Sequence, residues 1–304
     1  MVMHELIINE SCECTKESRL RRARIGLTGL TIVALLLYCL TPKLAYAILA
    51  GDEPLAEGAY DPTASLAQVQ FRDIYTPAQY GTNAQQNVLQ IRPIVNISPF
   101  WLIPCEQLLR PTFRVVTAAR SKSASTSTGY DDMQLLDLFI MRWPNTDAIK
   151  LRWALGPFFI FPTATNQQLG QGAWQLGPAA AFSFRGIQGL DIAALLQQAT
   201  SFAYTSSRSK PVTSLTFQPI LTYQLGGGWY LKSSDSTWNI NLRHGTSTTI
   251  PINAGFGKVW RASSGLAIDT STGWEWMLYR QFAPRASQFS MLFQITVLFP
   301  RTQF

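Results

Sequence analysis

The stretch IKLRWALGPFFIFPTATNQQLGQGAWQLGPAAAFSFR, residues 149–185, decides the fold. Its first half places Ile149, Leu151, Trp153, Leu155, Phe159 and Phe161 on one face of an extended chain, against Lys150, Arg152, Ala154 and Gly156. Its second half sets Trp174, Leu176, Ala180, Phe182 and Phe184 against Gln175, Gly177, Ala179, Ser183 and Arg185. A loop rich in Thr, Asn, Gln and Gly joins the two. Successive side chains of a strand point to opposite faces, so each half reads as one strand with an apolar and a polar side. The alternation outruns the ~5–6 residues usual in a soluble sheet. A tilted strand needs about 9–11 residues to cross the hydrocarbon layer of a bilayer. The hairpin therefore predicts a transmembrane β-barrel.

The bulk composition agrees. Charged residues make up 14% of the 304-residue chain and aromatic residues 12%, whereas a typical soluble domain carries roughly 25% charge. Beyond residue 47 no apolar run approaches the ~18 residues that a membrane-spanning helix needs. The formal net charge is +7, and a mild positive excess remains once the first 47 residues are set aside. No basic run with interleaved aromatics points to nucleic acid. Cys12, Cys14 and Cys39 lie in that leader, which leaves Cys105 without a partner for an internal disulfide.

Residues 1–47 read as a leader with a secretory signal peptide. RLRRAR supplies the positive start, residues 25–40 the uncharged apolar segment, and Ala45-Tyr46-Ala47 a small-x-small site with cleavage after Ala47. Residues 48–66, small, acidic and broken by Pro and Gly, read as a flexible periplasmic segment. Residues 67–304 read as the outer-membrane barrel. Turn signals there recur every 15–25 residues. They delimit strands at 67–75, 86–97, 108–118, 129–143, 149–161, 172–185, 190–204, 212–225, 229–242, 248–260, 266–281 and 287–299. The expected fold is all-β, an antiparallel up-and-down transmembrane barrel of about 12 strands, with the C-terminal strand closing it.

Short links such as Gly186–Gly189 and Gly226–Gly228 alternate with polar loops such as Ser121–Thr128 and Ala164–Gln171, the asymmetry of periplasmic turns and outer loops. Residues 98–107, SPFWLIPCEQ, are an apolar exception on the turn side. The last strand alternates Phe289, Met291, Phe293, Ile295, Val297 and Phe299 with smaller or polar residues. Such a strand resembles the terminal signal that barrel-assembly machinery reads.

GPFFIFPTAT followed by LGQGAWQLGPAAAF resembles the outer-membrane transporter-like β-barrel family named for the meta-pathway of phenol degradation. QNVLQIRPIV, LLRPTFRVVT, TGYDDMQLLDLFI, TFQPILTYQLGGGWYL, INAGFGKVW and FQITVLFP fit the same layout. The resemblance covers nearly all of the chain after the leader. It implies an outer-membrane location and transport of aromatic or other small organic compounds, with no catalytic residues and no cofactor.

If the apolar faces meet lipid, Arg92, Arg110, Arg114, Lys150, Arg152, Arg185 and Arg243 point into the lumen, against Asp235, Asp269 and Glu275. Arg or Lys on the lipid face would cost ~2–4 kcal/mol at the bilayer midplane, so the inward assignment is the stable one. A positive interior of this kind favours anions; a salt-bridged filling of the lumen is the alternative. The expected partners are outer-membrane lipid and small-molecule solutes. Gly156-Pro157 and Gly177-Pro178 predict two matching bends, since Pro deletes a ladder donor in a central strand. Trp143, Trp153, Trp174, Trp229, Trp260, Trp274 and Trp276 fall near strand ends, as interface girdles do. His244, the one histidine after the leader, falls on the lipid-side parity beside Ser247 and makes a poor catalytic pair. Asp131 and Asp132 read as a solvated loop edge, with calcium at the rim as the other reading. The chain is thus expected to be no enzyme but a channel for small organic or anionic solutes. A non-conducting structural barrel and a lipid-modifying barrel enzyme are the alternatives, and a soluble double-sheet sandwich is the alternative fold.

Overall fold

The computed structural model describes residues 61–64, 66–119, 126–142, 151–166, 169–205, 209–233, 236–243, 247–261, 266–283 and 285–299. Its segments in chain order are β1 (Ala67–Gln79), β2 (Gln86–Ile97), β3 (Glu106–Ala119), β4 (Thr126–Tyr130), β5 (Met133–Arg142), β6 (Leu151–Phe161) and β7 (Ala173–Ile187). There follow β8 (Leu190–Tyr204), β9 (Thr213–Gly226), β10 (Trp229–Ser233), β11 (Trp238–Asn241), β12 (Thr248–Arg261), β13 (Ala267–Gln281) and β14 (Ser287–Phe299). All pairings are antiparallel. Segments β4 and β5 lie end to end against β3 and form one barrel strand, broken at Asp131-Asp132. Segments β10 and β11 likewise share one position between β9 and β12. Pairing of β14 with β1 closes the sheet. The result is a twelve-stranded transmembrane-type barrel, and closure leaves no exposed edge to template aggregation.

Alternation orients the wall. On β14 the outward Met291, Phe293 and Ile295 are 46%, 52% and 38% exposed, while Leu292, Gln294, Thr296 and Leu298 between them are buried. In water such an apolar exterior would be unstable; against lipid it is the low-energy surface. Near the short-turn end the outward Lys258 sets its Nζ 4.0 Å from the Trp260 ring centroid and 4.9 Å from that of Trp229.

The turn from β9 to β10 needs glycine. Gly226, Gly227 and Gly228 all have positive φ, at 89°, 60° and 82°, which lets β9 reverse directly into β10. The apolar turn between β2 and β3 is pinched by a bridge between Phe100 and Ile103, and Trp101 at its tip is 91% exposed. The turn thus projects away from the barrel instead of packing beneath it.

The opening hairpin is β6 and β7, with a continuous ladder from Leu151–Phe184 to Ile160–Gln175 and Pro157 directly opposite Pro178. The pairing lapses are on the outer flanks. Between β5 and β6 it skips from Leu136–Phe158 to Phe139–Leu155, and between β7 and β8 from Leu176–Thr200 to Ala179–Gln197. Each proline lacks the N–H that would have pointed to its flanking neighbour. The preceding glycine admits that neighbour's backbone: a Cβ on Gly156 would lie 1.8 Å from the Asp137 carbonyl oxygen, and one on Gly177 2.1 Å from that of Gln198. Pro93 and Pro111 mark a similar lapse between β2 and β3, where pairing stops at Ile91–Phe113 and resumes at Val95–Leu109.

Much of the inward face from β2 to β8 is apolar. Ile94, Leu108, Leu136, Leu138, Ile140, Phe158, Ile160 and Leu195, with alanines of β6, β7 and β8, form one buried cluster inside the wall. That apolar filling is what the sequence reading of a positive interior, or of a salt-bridged lumen, left out.

Candidate functional site

Above the apolar cluster, toward the long-loop end, the lumen holds a cavity of about 490 Å³ beside a second of about 260 Å³. Register builds its two sides. On one side Arg72 of β1 pairs with Gln90 of β2, and Gln90 with Arg114 of β3, so two arginines flank a glutamine in a single row. Arg92 follows one inward position lower on β2, opposite Gln70, and Arg110 lies lower on β3. On the far side Gln197 of β8 pairs with Thr216 of β9, Thr216 with Asn239 of β11, and Asn239 with Thr249 of β12. The first side is cationic; the second is neutral and rich in hydrogen-bonding groups.

The carboxylates near the cations are engaged. Arg114 donates from Nη2 to Asp131 Oδ2. Asp132 is buried and accepts from the backbone N–H groups of Ala164, at 3.2 Å, and Gln171, at 2.6 Å. The break between β4 and β5 therefore clamps the β6–β7 loop to the rim, and Asp131-Asp132 is no solvated edge. Within the lining, Gln90 Oε1 and Arg110 Nε are buried and have no hydrogen-bond partner among the described residues, the first as acceptor and the second as donor. The same holds for both amide atoms of Asn253 in the smaller cavity, which Glu275 also lines.

A second device occupies the short-turn end. Asp61, Thr63, Ala64 and Leu66, just before β1, are buried. Asp61 Oδ2 accepts from Arg185 Nη2 at 2.7 Å and from Ser183 Oγ at 2.8 Å, both on β7. Its Oδ1 accepts from the backbone N–H and the hydroxyl of Thr63, each at 2.7 Å. Asn96 of β2 donates from Nδ2 to the Ala64 carbonyl at 3.1 Å. Ala64 and Leu66 pack with Tyr230, Val259, Ala267 and Leu298 on the opposite arc. This strap runs from the β1 wall to β7, five barrel strands away, and crosses the mouth. Where the sequence led us to expect a flexible lead-in through residue 66, its last residues are pinned inside the lumen by a buried carboxylate with four hydrogen-bond donors.

Of the residues expected in the lumen, Arg92, Arg110 and Arg114 line the larger cavity and Glu275 the smaller. Arg152 shares the inward face of β6 with Ala154, nearer the short-turn end. Arg185 also points inward but belongs to the strap contact, with Asp191 Oδ1 3.6 Å from its Nε. Asp269 is fully buried and accepts from the Tyr230 hydroxyl at 2.6 Å, so it sits in packing and not along a solute path. Arg243 is a correction. It lies past the end of β11, exposed at the rim, with Nε donating to Thr213 Oγ1 at 3.1 Å, because the strand stops at Asn241 before its parity can act. Lys150, Asp235, His244 and Trp143 lie outside the described residues. The sequence reading missed Arg72 and Lys232. Both were findable by parity: Val69, Phe71 and Tyr75 outward put Arg72 inward, and Trp229 and Leu231 outward put Lys232 inward. Lys232 donates to Ser271 Oγ at 3.0 Å.

No family model matches the chain, and no curated protein matches it. Among solved structures, the crystal structure of the COG4313 outer membrane channel from Pseudomonas putida F1 aligns with TM-score 0.55 and 14% identity, over 82% of this chain and all of that one. The NanC porin aligns with TM-score 0.44 and 10% identity, over 75% of this chain and 98% of that one. The KdgM porin in complex with disordered oligogalacturonate aligns with TM-score 0.39 and 8% identity, over 78% of this chain and 99% of that one. The likeness to the first of these is a likeness of fold.

Proposed function

We propose that this chain is an outer-membrane channel that admits small organic anions from the outer side, reached through the secretory leader read in residues 1–47. The observation that carries the reading is the inward arginine group, Arg72, Arg92, Arg110 and Arg114, beside cavities inside a closed, lipid-facing barrel. Holding four guanidinium groups in a low-dielectric wall is costly unless the site uses their charge, and rings of Arg or Lys are how pores favour anions. Small organic compounds as cargo follow from the resemblance to the family named for the meta-pathway of phenol degradation.

Reversal potentials in planar bilayers across a potassium chloride gradient test this reading. Anion preference is expected, and it should fall in Arg92→Ala. Absence of conductance from correctly folded protein would overturn the channel reading. It would favour a non-conducting barrel, for which the strap and the apolar cluster across the lumen speak.

A further inference from the structure

We infer that the larger cavity is a binding site for a hydroxylated monocarboxylate, in the manner of a sugar acid, in preference to an aromatic acid of the same charge. The inference rests on the same cavity as the channel reading and goes further in naming the ligand's body as well as its charge. Three observations support it.

The first is the charge count. The cavity is lined by Arg92, Arg110 and Arg114 against Asp131 and Asp132, one positive charge in excess. Asp131 is held by Arg114, and Asp132 by two backbone N–H groups of the β6–β7 loop. Arg110 has no ion-pair partner among the described residues and a buried Nε without a hydrogen bond. One carboxylate fits that imbalance, and a guanidinium offers it a planar pair of donors.

The second is the far side. The registered row Gln197, Thr216, Asn239 and Thr249 offers amides and hydroxyls, which both donate and accept. One inward position nearer the rim, Ser214 of β9 pairs with Asn241 of β11 and continues the pattern. An aromatic ring placed against this surface would leave those groups unpaired, and the loss of buried hydrogen bonds outweighs the gain from a ring contact. A chain of hydroxyls, each a donor and an acceptor, meets them instead.

The third is what the lining lacks. Hydroxyl and amide side chains dominate it, and Phe158 is its single aromatic ring among the described residues. Trp174, Phe182, Phe202 and Trp276 point outward, and the inward Tyr230 is packed against Asp269 and the strap, outside this lining. The cavity volume of about 490 Å³ accommodates a molecule of six or seven heavy-atom carbons and its substituents.

The test uses the full chain after the leader, purified in detergent and also reconstituted in bilayers, with D-gluconate and benzoate as probes of equal charge. Calorimetry should give gluconate binding about tenfold tighter than benzoate, the difference expected of two or three hydrogen bonds gained. Arg110→Ala should weaken both probes, and Thr216→Val with Asn239→Leu should weaken gluconate alone. Heat-modifiable migration on gels checks that each variant is folded, and the comparison of the two probes on the unaltered protein needs no variant at all. Equal or tighter benzoate binding overturns the inference, as does gluconate binding indifferent to Thr216→Val with Asn239→Leu. Gluconate binding without any ion conductance would sustain this site while overturning the channel reading. Chloride conductance with no preference between the probes would do the reverse.

Discussion

Asp61 Oδ2, on the strap that leads into β1, lies 2.7 Å from Arg185 Nη2 on β7, five barrel strands from β1. Both side chains are buried, at 2% and 9% exposure. Removing one partner of such a pair strands the other charge and costs on the order of 3–5 kcal/mol. In Asp61→Ala that cost is expected to fall on the strap alone, because the barrel's own ladders do not pass through it. Single-channel conductance should therefore rise, about twofold or more, while the barrel keeps its heat-modifiable folded form. Unchanged conductance would mean that the strap does not obstruct the path.

The Arg114–Asp131 contact makes opposite predictions for its two members. Asp131→Asn leaves Arg114 charged and should raise the preference for chloride over potassium. Arg114→Ala leaves a carboxylate uncompensated in the lumen and should lower it. A shift of about two- to threefold in permeability ratio each way is expected from a single lumen charge. Reversal potentials of the two variants should lie on either side of the unaltered protein's.

How much of this was legible in the residues follows from period 2. Strand count, closure by the last strand and the outward face of β6, β7 and β14 need only local alternation, and the outward apolar residues of these three strands supply it. Arg92, Arg110 and Arg114 follow from the same parity. The strap does not, because Asp61 recognises Ser183 and Arg185 some 120 residues on, and no local signal carries a contact of that range. Arg243 shows the limit of parity: the rule holds only while the strand lasts, and β11 ends two residues earlier. The apolar lumen cluster was hidden for another reason. Ile94, Leu138 and Leu195 stand where both faces of their strands are apolar, so alternation there had nothing to distinguish.

Lys258 faces outward between two rings, with its Nζ 4.0 Å from the Trp260 centroid and 4.9 Å from that of Trp229. A cation held over aromatic faces at a membrane interface is worth ~1 kcal/mol. Lys258→Ala should lower the Tm by a few degrees, and Lys258→Arg should restore it. Lys258→Glu, with a shorter stem and the opposite charge facing the rings, should fare worse than alanine. An unaltered Tm in all three would show that the tryptophans hold this part of the girdle by themselves.

Gly156 tests why the Gly-Pro pairs stand where they do. A Cβ there would come within 1.8 Å of the Asp137 carbonyl oxygen and 2.8 Å of its carbon, both backbone atoms that no rotamer change can move. Gly156→Ala must therefore push β5 away from β6 at the point where Pro157 has already removed a ladder bond. A backbone displacement of this kind should cost several kcal/mol, in the range of severe core overpacking or more. Gly227→Ala is the control. Nothing lies within 4 Å of its added Cβ, and its φ of +60° brings only the ~1–2 kcal/mol of a left-handed alanine. Folding into vesicles, followed by migration of unheated samples on gels, should show Gly227→Ala reaching the compact form and Gly156→Ala failing or lagging. Equal yields would mean that β5 can swing outward freely. The paired Gly-Pro bends would then be tolerated irregularities of the wall, with no part in fixing its shape.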